Sequence, residues 1–283
     1  MTIHSRLSAA RQRLREAGLA VSEADLSARL LAEHVLGWTR ERLLIDGWDS
    51  EPDGFASQFD ALVARRAARE PLPYIVGHRD FWHLNFEVTP AVLIPRHETE
   101  LIVEAALGIV PPDTRATIAD LCTGCGCVAV AIAHERPAAR VIATDVSEVA
   151  LAVARRNAVR LGVGDRVEIR HGDLLDPIDT ACDLIVANPP YVVSGARPAL
   201  QPEVRDHEPD VALFGGEDGL RLVARLVHDA PARIRSGGAL VFEFGYGQDE
   251  EIEQLLSDSP DLTLVDIKRD LQGIARTAVA RRR

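Results

Sequence analysis

Over residues 1 to 75, Leu7, Leu14, Leu26, Leu30, Leu31 and Val35 recur at spacings near three and four, the period of an apolar stripe on a helix. Helices are therefore expected here, one of them beginning after Ser22, whose hydroxyl suits an N-cap ahead of the acidic first turn Glu23-Ala24-Asp25. A further helix is predicted from about Gly54 to Ala68, ending before Glu70-Pro71-Leu72-Pro73. From Arg79 to Pro95 the pattern changes. Phe81, Leu84, Phe86 and Val88, then Val92-Leu93-Ile94, with Asn85 and Thr89-Pro90 as turn candidates, read as a β-hairpin linking two domains. Arg96-His97-Glu98-Thr99-Glu100 then opens a helix carrying Leu101, Ile102, Ala105 and Ala106, its acidic first turn matched to the helix dipole.

Beyond that point short apolar runs alternate with helical segments, the signature of a parallel sheet covered on both faces. Strands are predicted near 117–121, 140–145, 166–171, 182–187, 238–244, 262–267 and 274–280. Only Lys268-Arg269-Asp270-Leu271-Gln272-Gly273 separates the last two, too little for a helical crossover, so they should form an antiparallel hairpin at the sheet edge.

Composition narrows the class. At 283 residues, 47% apolar and 27% charged, the chain suits one large α/β domain with a smaller one beside it. No run approaches the roughly 20 apolar residues of a membrane helix, and Met1-Thr2-Ile3-His4-Ser5-Arg6 lacks an apolar signal core. A cytoplasmic protein with no membrane partner is expected. A net charge of −11 argues against gripping duplex nucleic acid by its phosphates. Residues 1 to 75 carry ten arginines against eleven acids, a balanced module with no basic patch, so no direct nucleic-acid contact is expected.

The first strand of the alternating region ends Ala119-Asp120-Leu121 and opens into Cys122-Thr123-Gly124-Cys125-Gly126-Cys127, after which Val128, Ala131 and Ile132 continue as a helix. Strand, glycine turn, helix is a nucleotide-binding layout. It lacks the third glycine of a dinucleotide fingerprint and the Gly-Lys-Ser/Thr of a P-loop, so the fitting ligand is one without phosphates, S-adenosylmethionine. Asp145 ends the second strand and would accept both ribose hydroxyls; Asp173 follows the third and would accept the adenine amino group. Each acid also reads as an ordinary helix cap, and it is the ordered set that points to a ligand. Cys122, Cys125 and Cys127 suggest zinc, but the fourth cysteine, Cys182, lies on another strand, so reduced thiols and no metal are expected.

Asn188-Pro189-Pro190-Tyr191 follows directly on the apolar run Cys182 to Ala187, at a strand's C-terminal end, where open α/β sheets place their chemistry. The prolines have no N–H, so the turn offers carbonyls without competing donors. Beside them stand an amide and an aromatic face. That set suits a planar NH₂ group, with one hydrogen on the Asn188 oxygen, one on the Pro189 carbonyl and its π-face on Tyr191. A proline-stiffened surface turn is the alternative for the tetrapeptide alone.

Longer blocks carry a resemblance. Glu70 to Gly77, Phe81 to Phe86, Val92 to Glu100, Asp120 to Gly126, Asn188 to Tyr191 and Glu208 to Leu220 together resemble the HemK/PrmC family of protein-(glutamine-N5) methyltransferases. The resemblance implies a class I S-adenosylmethionine-dependent methyltransferase, α/β with a Rossmann-like seven-stranded sheet and an antiparallel edge hairpin, acting on the Gly-Gly-Gln glutamine of class I peptide-chain release factors. It implies a helical substrate-docking domain over 1–75, a hairpin linker over 76–96 and the methyltransferase domain over 97–283, in a monomer. It places the cofactor over Cys122, Thr123, Gly124, Cys125 and Gly126, with Asp145 on the ribose, Asp173 and Leu174 near the adenine and Asn188 beside the reactive methyl. Asn188, Pro189, Pro190 and Tyr191 would hold the glutamine and carry catalysis. The family usually has glycine at Cys122, a small hydroxyl residue at Cys125 and proline at His97. Two other readings share the tetrapeptide: an amino-methyltransferase of adenine or cytosine in nucleic acid, and a catalytically silent cofactor-binding interaction module.

Overall fold

The computed structural model describes residues 1–283. Five helices come first, α1 (Ile3–Glu16), α2 (Val21–Leu36), α3 (Arg40–Asp46), α4 (Phe55–Ala67) and α5 (Leu72–Val76). A hairpin of β1 (His78–Phe81) and β2 (Leu84–Glu87) leads into α6 (Glu100–Ile109). Strands and helices then alternate as β3 (Thr117–Leu121), α7 (Cys127–Glu135), β4 (Arg140–Asp145), α8 (Glu148–Arg160), β5 (Val167–His171) and β6 (Cys182–Ala187). Short elements follow: β7 (Val192–Val193), α9 (Pro202–His207), α10 (Asp210–Leu213) and β8 (Phe214–Gly216). The chain closes with α11 (Arg221–Asp229), β9 (Ile234–Glu243), α12 (Asp249–Ser257), β10 (Leu262–Arg269) and β11 (Ala275–Arg282). Contacts divide it into two compact units, Met1–Gly77 with Gln201–His207, and His78–Leu200 with Glu208–Arg283.

In the first unit Ile3, Leu7, Leu14, Leu31, Phe55, Phe59 and Val63 bury against one another. Ser22 does not cap α2: the helix starts two residues earlier, at Val21, with Ala20 at the N-cap and no side-chain bond there. Nor does Leu26 join the stripe, being 44% exposed, because α2 turns small residues, Ala24, Ser27, Ala28 and Ala32, into the core alongside Leu31. Close helix packing needs those small side chains where the pattern favoured leucine. Arg66 is buried in this unit, donating to Ser27 Oγ, the Glu70 carbonyl and, at 2.9 Å, Glu203 Oε1. Arg69 holds the other Glu203 oxygen at 2.7 Å, so the returning segment Gln201–His207 is tied to its unit by two guanidiniums. A buried charge is tolerated only when paired in this way.

The second unit is the doubly covered α/β sheet. Its strand order is β10-β11-β9-β6-β3-β4-β5, with β5, β4, β3, β6 and β9 parallel and β11 antiparallel to both neighbours. The β10–β11 pair is the edge hairpin that the short connection required. Ala119, Leu121, Ile185, Ala187, Leu240 and Phe242 face α11 and α12 on one side, in a core completed by Val223, Leu226, Ile252 and Leu256. The topology switches between β3 and β6: the chain runs from β3 through β4 to β5 on one side and returns to β6 on the other. In open α/β sheets the crevice at such a switch is where ligands bind.

The β1–β2 hairpin turns at Trp82-His83, not at Asn85, which pairs with Asp80 inside the strands. Both turn residues have positive φ, 49° and 59°, the left-handed region that a two-residue hairpin loop requires and that glycine or asparagine usually supplies. Tertiary bonds anchor the turn instead: the Trp82 backbone N–H donates to Glu100 and its indole N–H to Glu135, each at 3.1 Å. Val92-Leu93-Ile94 is not a strand. Val92 and Ile94 are buried as irregular chain, and the Ile94 N–H donates to the carboxylate of Glu208 instead of to a strand partner.

Candidate active site

Sheet register sets the site. Leu121 of β3 pairs with Ala187 of β6, so the glycine turn beginning at Cys122 and the polar turn beginning at Asn188 leave neighbouring strands side by side. On the far side Phe242 of β9 pairs with the same Ala187, which sets Glu243 next to Asn188. A cavity of about 330 Å³ opens at these strand ends, lined by residues of the second unit alone.

The glycine turn is built from left-handed backbone. Cys122, Gly124 and Gly126 have φ of 57°, 55° and 82°. Gly126 caps α7, and a Cβ there would come within 3.1 Å of Ala154 Cβ on α8, so only glycine lets the two helices approach. Cys122 bears the strain of that region with a side chain. The turn is pinned to β4, where the Thr123 N–H donates to the Thr144 carbonyl at 2.9 Å and the Gly124 N–H to Asp145 Oδ2 at 2.9 Å. Beneath it the buried Asp120 accepts from the Thr123 hydroxyl at 2.5 Å and the Ala129 N–H at 3.1 Å. Burial raises the Asp120 pKa to about 7, against the pull of those two donors. Asn157 of α8 locks the outer side, donating to the Cys125 carbonyl at 2.9 Å and to the Glu87 carbonyl at 3.0 Å.

Eight of the nine residues assigned to the cofactor line the cavity: Cys122, Thr123, Gly124, Cys125, Asp145, Asp173, Leu174 and Asn188. Gly126 stands behind as the cap. Asp145 Oδ1 accepts the Ser147 N–H at 2.9 Å, and burial pushes its pKa up. Asp173 pairs with Arg225 at 2.7 Å, both half exposed. Burial pushes the Cys122 thiol well up, and contact with Cys125 together with burial does the same for Cys127, so neither is a reactive thiolate. The fit to S-adenosylmethionine lies in this donor set: a phosphate-free glycine cradle, acids at two strand ends, and apolar walls from Val146, Ala150, Leu174 and Leu222.

Within the tetrapeptide the placement is uneven. Asn188 and Pro190 line the cavity; Pro189 and Tyr191 do not. Asn188 donates its Nδ2–H to Thr99 Oγ1 at 3.0 Å, which leaves the acceptor Oδ1 as the end it offers a ligand. Tyr191 points its hydroxyl inward to Glu243 Oε1 at 2.8 Å, and that carboxylate with burial drives its pKa well up. The aromatic ring is therefore a fixed support, packed near Gly245, where a Cβ would lie 3.1 Å from Tyr191 Cδ2.

The block from Glu208 to Leu220 supplies the backing. A Cβ on Gly215 would fall 2.4 Å from the Pro190 carbonyl oxygen, and one on Gly219 2.2 Å from that of Tyr191. Gln248 bridges the same ground, accepting the Gly245 N–H at 2.7 Å and donating to the Tyr191 carbonyl at 3.3 Å. Strand β8 pairs with β7 to complete the support. Glu208 itself, its pKa raised by burial, takes Arg96 at 2.5 Å and so braces the rim at residues 94 to 96. Thr99, Gln248 and Glu243 carried no local signal; each is found only by asking what holds Asn188 and Tyr191 in place.

Residues 6–77 match the PrmC N-terminal domain family and residues 99–202 the methyltransferase small domain. A release factor glutamine methyltransferase of Cereibacter sphaeroides is 43% identical over 97% of this chain and 96% of that protein. One of Mycolicibacterium smegmatis is 41% identical over 99% and 98%. Among solved structures, a methyltransferase from Pyrococcus furiosus superposes with a TM-score of 0.54 at 17% identity, covering 80% of this chain and 98% of that one. The catalytic domain of hMettl16, solved with an RNA hairpin, gives 0.56 at 17% identity over 77% and 81%. At such identities the structural likeness speaks to the fold, that of the class I methyltransferases.

Proposed function

The chain belongs to the release factor glutamine methyltransferase family, and we propose that it transfers the methyl of S-adenosylmethionine to the N5 side-chain nitrogen of the Gly-Gly-Gln glutamine in class I release factors. The observation that carries the mechanism is the orientation of Asn188, whose N–H is taken by Thr99 while Oδ1 is left for a substrate N–H. The second substrate hydrogen goes to the Pro189 carbonyl, since that of Pro190 lies against Gly215 of the backing block.

A carboxamide nitrogen is a poor nucleophile because its lone pair is delocalised into the carbonyl. Accepting both N–H bonds would turn the nitrogen's lone-pair axis toward the methyl group for in-line displacement, in which the N–C bond forms as the S–C bond breaks, S-adenosylhomocysteine leaves and the nitrogen gives up one proton to solvent. Holding reactants at near-attack distance supplies roughly 7 to 11 kcal/mol of the barrier reduction. The cofactor contributes an activated methyl on a sulfonium, and Asp145, Asp173 and the Cys122 to Gly126 turn hold and orient it. We assign the 1–75 helices to docking the release factor, and place the enzyme in the cytoplasm as a monomer that makes no direct nucleic-acid contact.

Side-by-side assays with tritiated S-adenosylmethionine test this reading. Label is expected in release factor and none in duplex DNA or single-stranded RNA. Label in nucleic acid at a comparable rate would favour a flipped base as substrate.

A further inference from the structure

Three consecutive carbonyls run from Pro189 to Tyr191, and the last two have partners behind the turn. That of Pro190 lies against Gly215, where a Cβ would fall 2.4 Å from the oxygen. That of Tyr191 accepts from Gln248 Nε2 at 3.3 Å. Gln248 is the N-cap of α12, in the connection that leaves β9, the strand next to β6. Its amide has only one possible orientation: Oε1 accepts the Gly245 N–H at 2.7 Å, and a backbone N–H only donates. The Gln248 N–H returns a bond to the Gly245 carbonyl at 3.2 Å, which fixes the side chain against its own backbone. Nε2 is left with two hydrogens, and both meet carbonyls, that of Tyr191 and, at 3.4 Å, that of Asp218. Two glycines make room for the amide. A Cβ on Gly245 would lie 2.9 Å from Gln248 Oε1, and one on Gly219 2.8 Å from Gln248 Nε2. One side chain thus joins the Asn188 to Tyr191 turn, the Glu208 to Leu220 block and the connection after β9.

We propose that Gln248 is a positioning residue of the methyl-transfer reaction: it fixes the main chain at the Tyr191 end of the turn, so that the Pro189 carbonyl stays aimed at the substrate nitrogen. The proposal rests on the reading of this turn as a glutamine clamp. Gln248 is not on the cavity wall, so it acts through the turn and not on the reacting atoms. The need for it follows from the prolines. A proline ring locks φ but leaves ψ free, and ψ is the dihedral that swings a carbonyl. At the near end Asn188 is held by Thr99 and by the pairing of β6 up to Ala187. Beyond the prolines, strand pairing resumes only at Val192. Holding the Tyr191 carbonyl from behind, with that of Pro190 packed on Gly215, takes up the freedom in between and leaves the Pro189 carbonyl for the substrate.

The test is steady-state kinetics of the full-length protein with intact release factor and S-adenosylmethionine. Gln248→Glu has nearly the same shape and keeps the acceptor for Gly245, but it turns a carboxylate oxygen toward the two carbonyls. The expected result is a kcat lower by about 30-fold in Gln248→Glu and about tenfold in Gln248→Ala, with cofactor affinity within about twofold of wild type in both. Gln248→Ala combined with Gly219→Ala should fall no more than about threefold below Gly219→Ala alone, because both changes act on the Tyr191 carbonyl. A Gln248→Glu enzyme with wild-type kcat would overturn the proposal, since shape alone would then suffice. So would a fully multiplicative loss in the double variant. A fall in cofactor affinity that parallels kcat in both single variants would also overturn it, because that marks a role in the fold at large. A wild-type protein that leaves the glutamine unmodified would overturn the clamp reading itself, and this proposal with it.

Discussion

The glycine turn after β3 and the polar turn after β6 start from paired residues, Leu121 and Ala187, yet they are held in different ways. The first is secured mostly through its own backbone groups: the Thr123 N–H to the Thr144 carbonyl, the Gly124 N–H to the Asp145 carboxylate, and the Cys125 carbonyl to the Asn157 amide. The second is secured by side chains and glycines distant in sequence: Thr99, Glu243, Gln248, Gly215 and Gly219. A turn that cradles a cofactor needs open backbone and tolerates side-chain change. A turn that aims an amide needs its own dipoles fixed, and that demands a scaffold around it.

This contrast is broken or sharpened by substitution at each turn. Asn188→Ala should have the largest effect, lowering kcat about 10³-fold while cofactor affinity by calorimetry stays within about threefold. Gly219→Ala places a Cβ 2.2 Å from the Tyr191 carbonyl oxygen, at a φ of +75°. We expect it to cost about 10²-fold in kcat, again with cofactor binding retained, because displaced clamp atoms lose near-attack geometry. At the other turn, Asp145→Asn should weaken cofactor binding about tenfold, or about 1.4 kcal/mol, with kcat at saturation close to wild type.

Cys122→Gly should act on stability, not turnover. Relieving a left-handed side chain at φ 57° is expected to add about 1 kcal/mol to unfolding stability, read as a higher midpoint in urea. The smallest effect belongs to Arg225→Ala. The Arg225–Asp173 pair is half exposed, and its loss should change stability by no more than about 0.5 kcal/mol. An effect of Arg225→Ala on kcat as large as that of Gly219→Ala would contradict the division drawn between the two turns.

The same division explains what the sequence alone discloses. The sheet strands, the edge hairpin and the cofactor turn are legible because each depends on contiguous residues: apolar runs for β3 and β6, glycines at Gly124 and Gly126, acids closing β4 and following β5. The turn of the first hairpin is hidden because Trp82-His83 takes a glycine-like conformation sustained by Glu100 and Glu135. The α2 core face is hidden because packing selected alanines over Leu26. Tyr191 looks like a ligand-facing ring in the tetrapeptide, and only the buried carboxyl of Glu243, far along the chain, turns its hydroxyl inward. Long-range partners leave no local signature.

The most direct test of the amide clamp is mass spectrometry of a release factor incubated with S-adenosylmethionine and either wild-type enzyme or Asn188→Ala. The account predicts one added methyl on the Gly-Gly-Gln glutamine with the wild type and none above background with the variant. An equally methylated glutamine in both, or a methyl on any other residue, would contradict it.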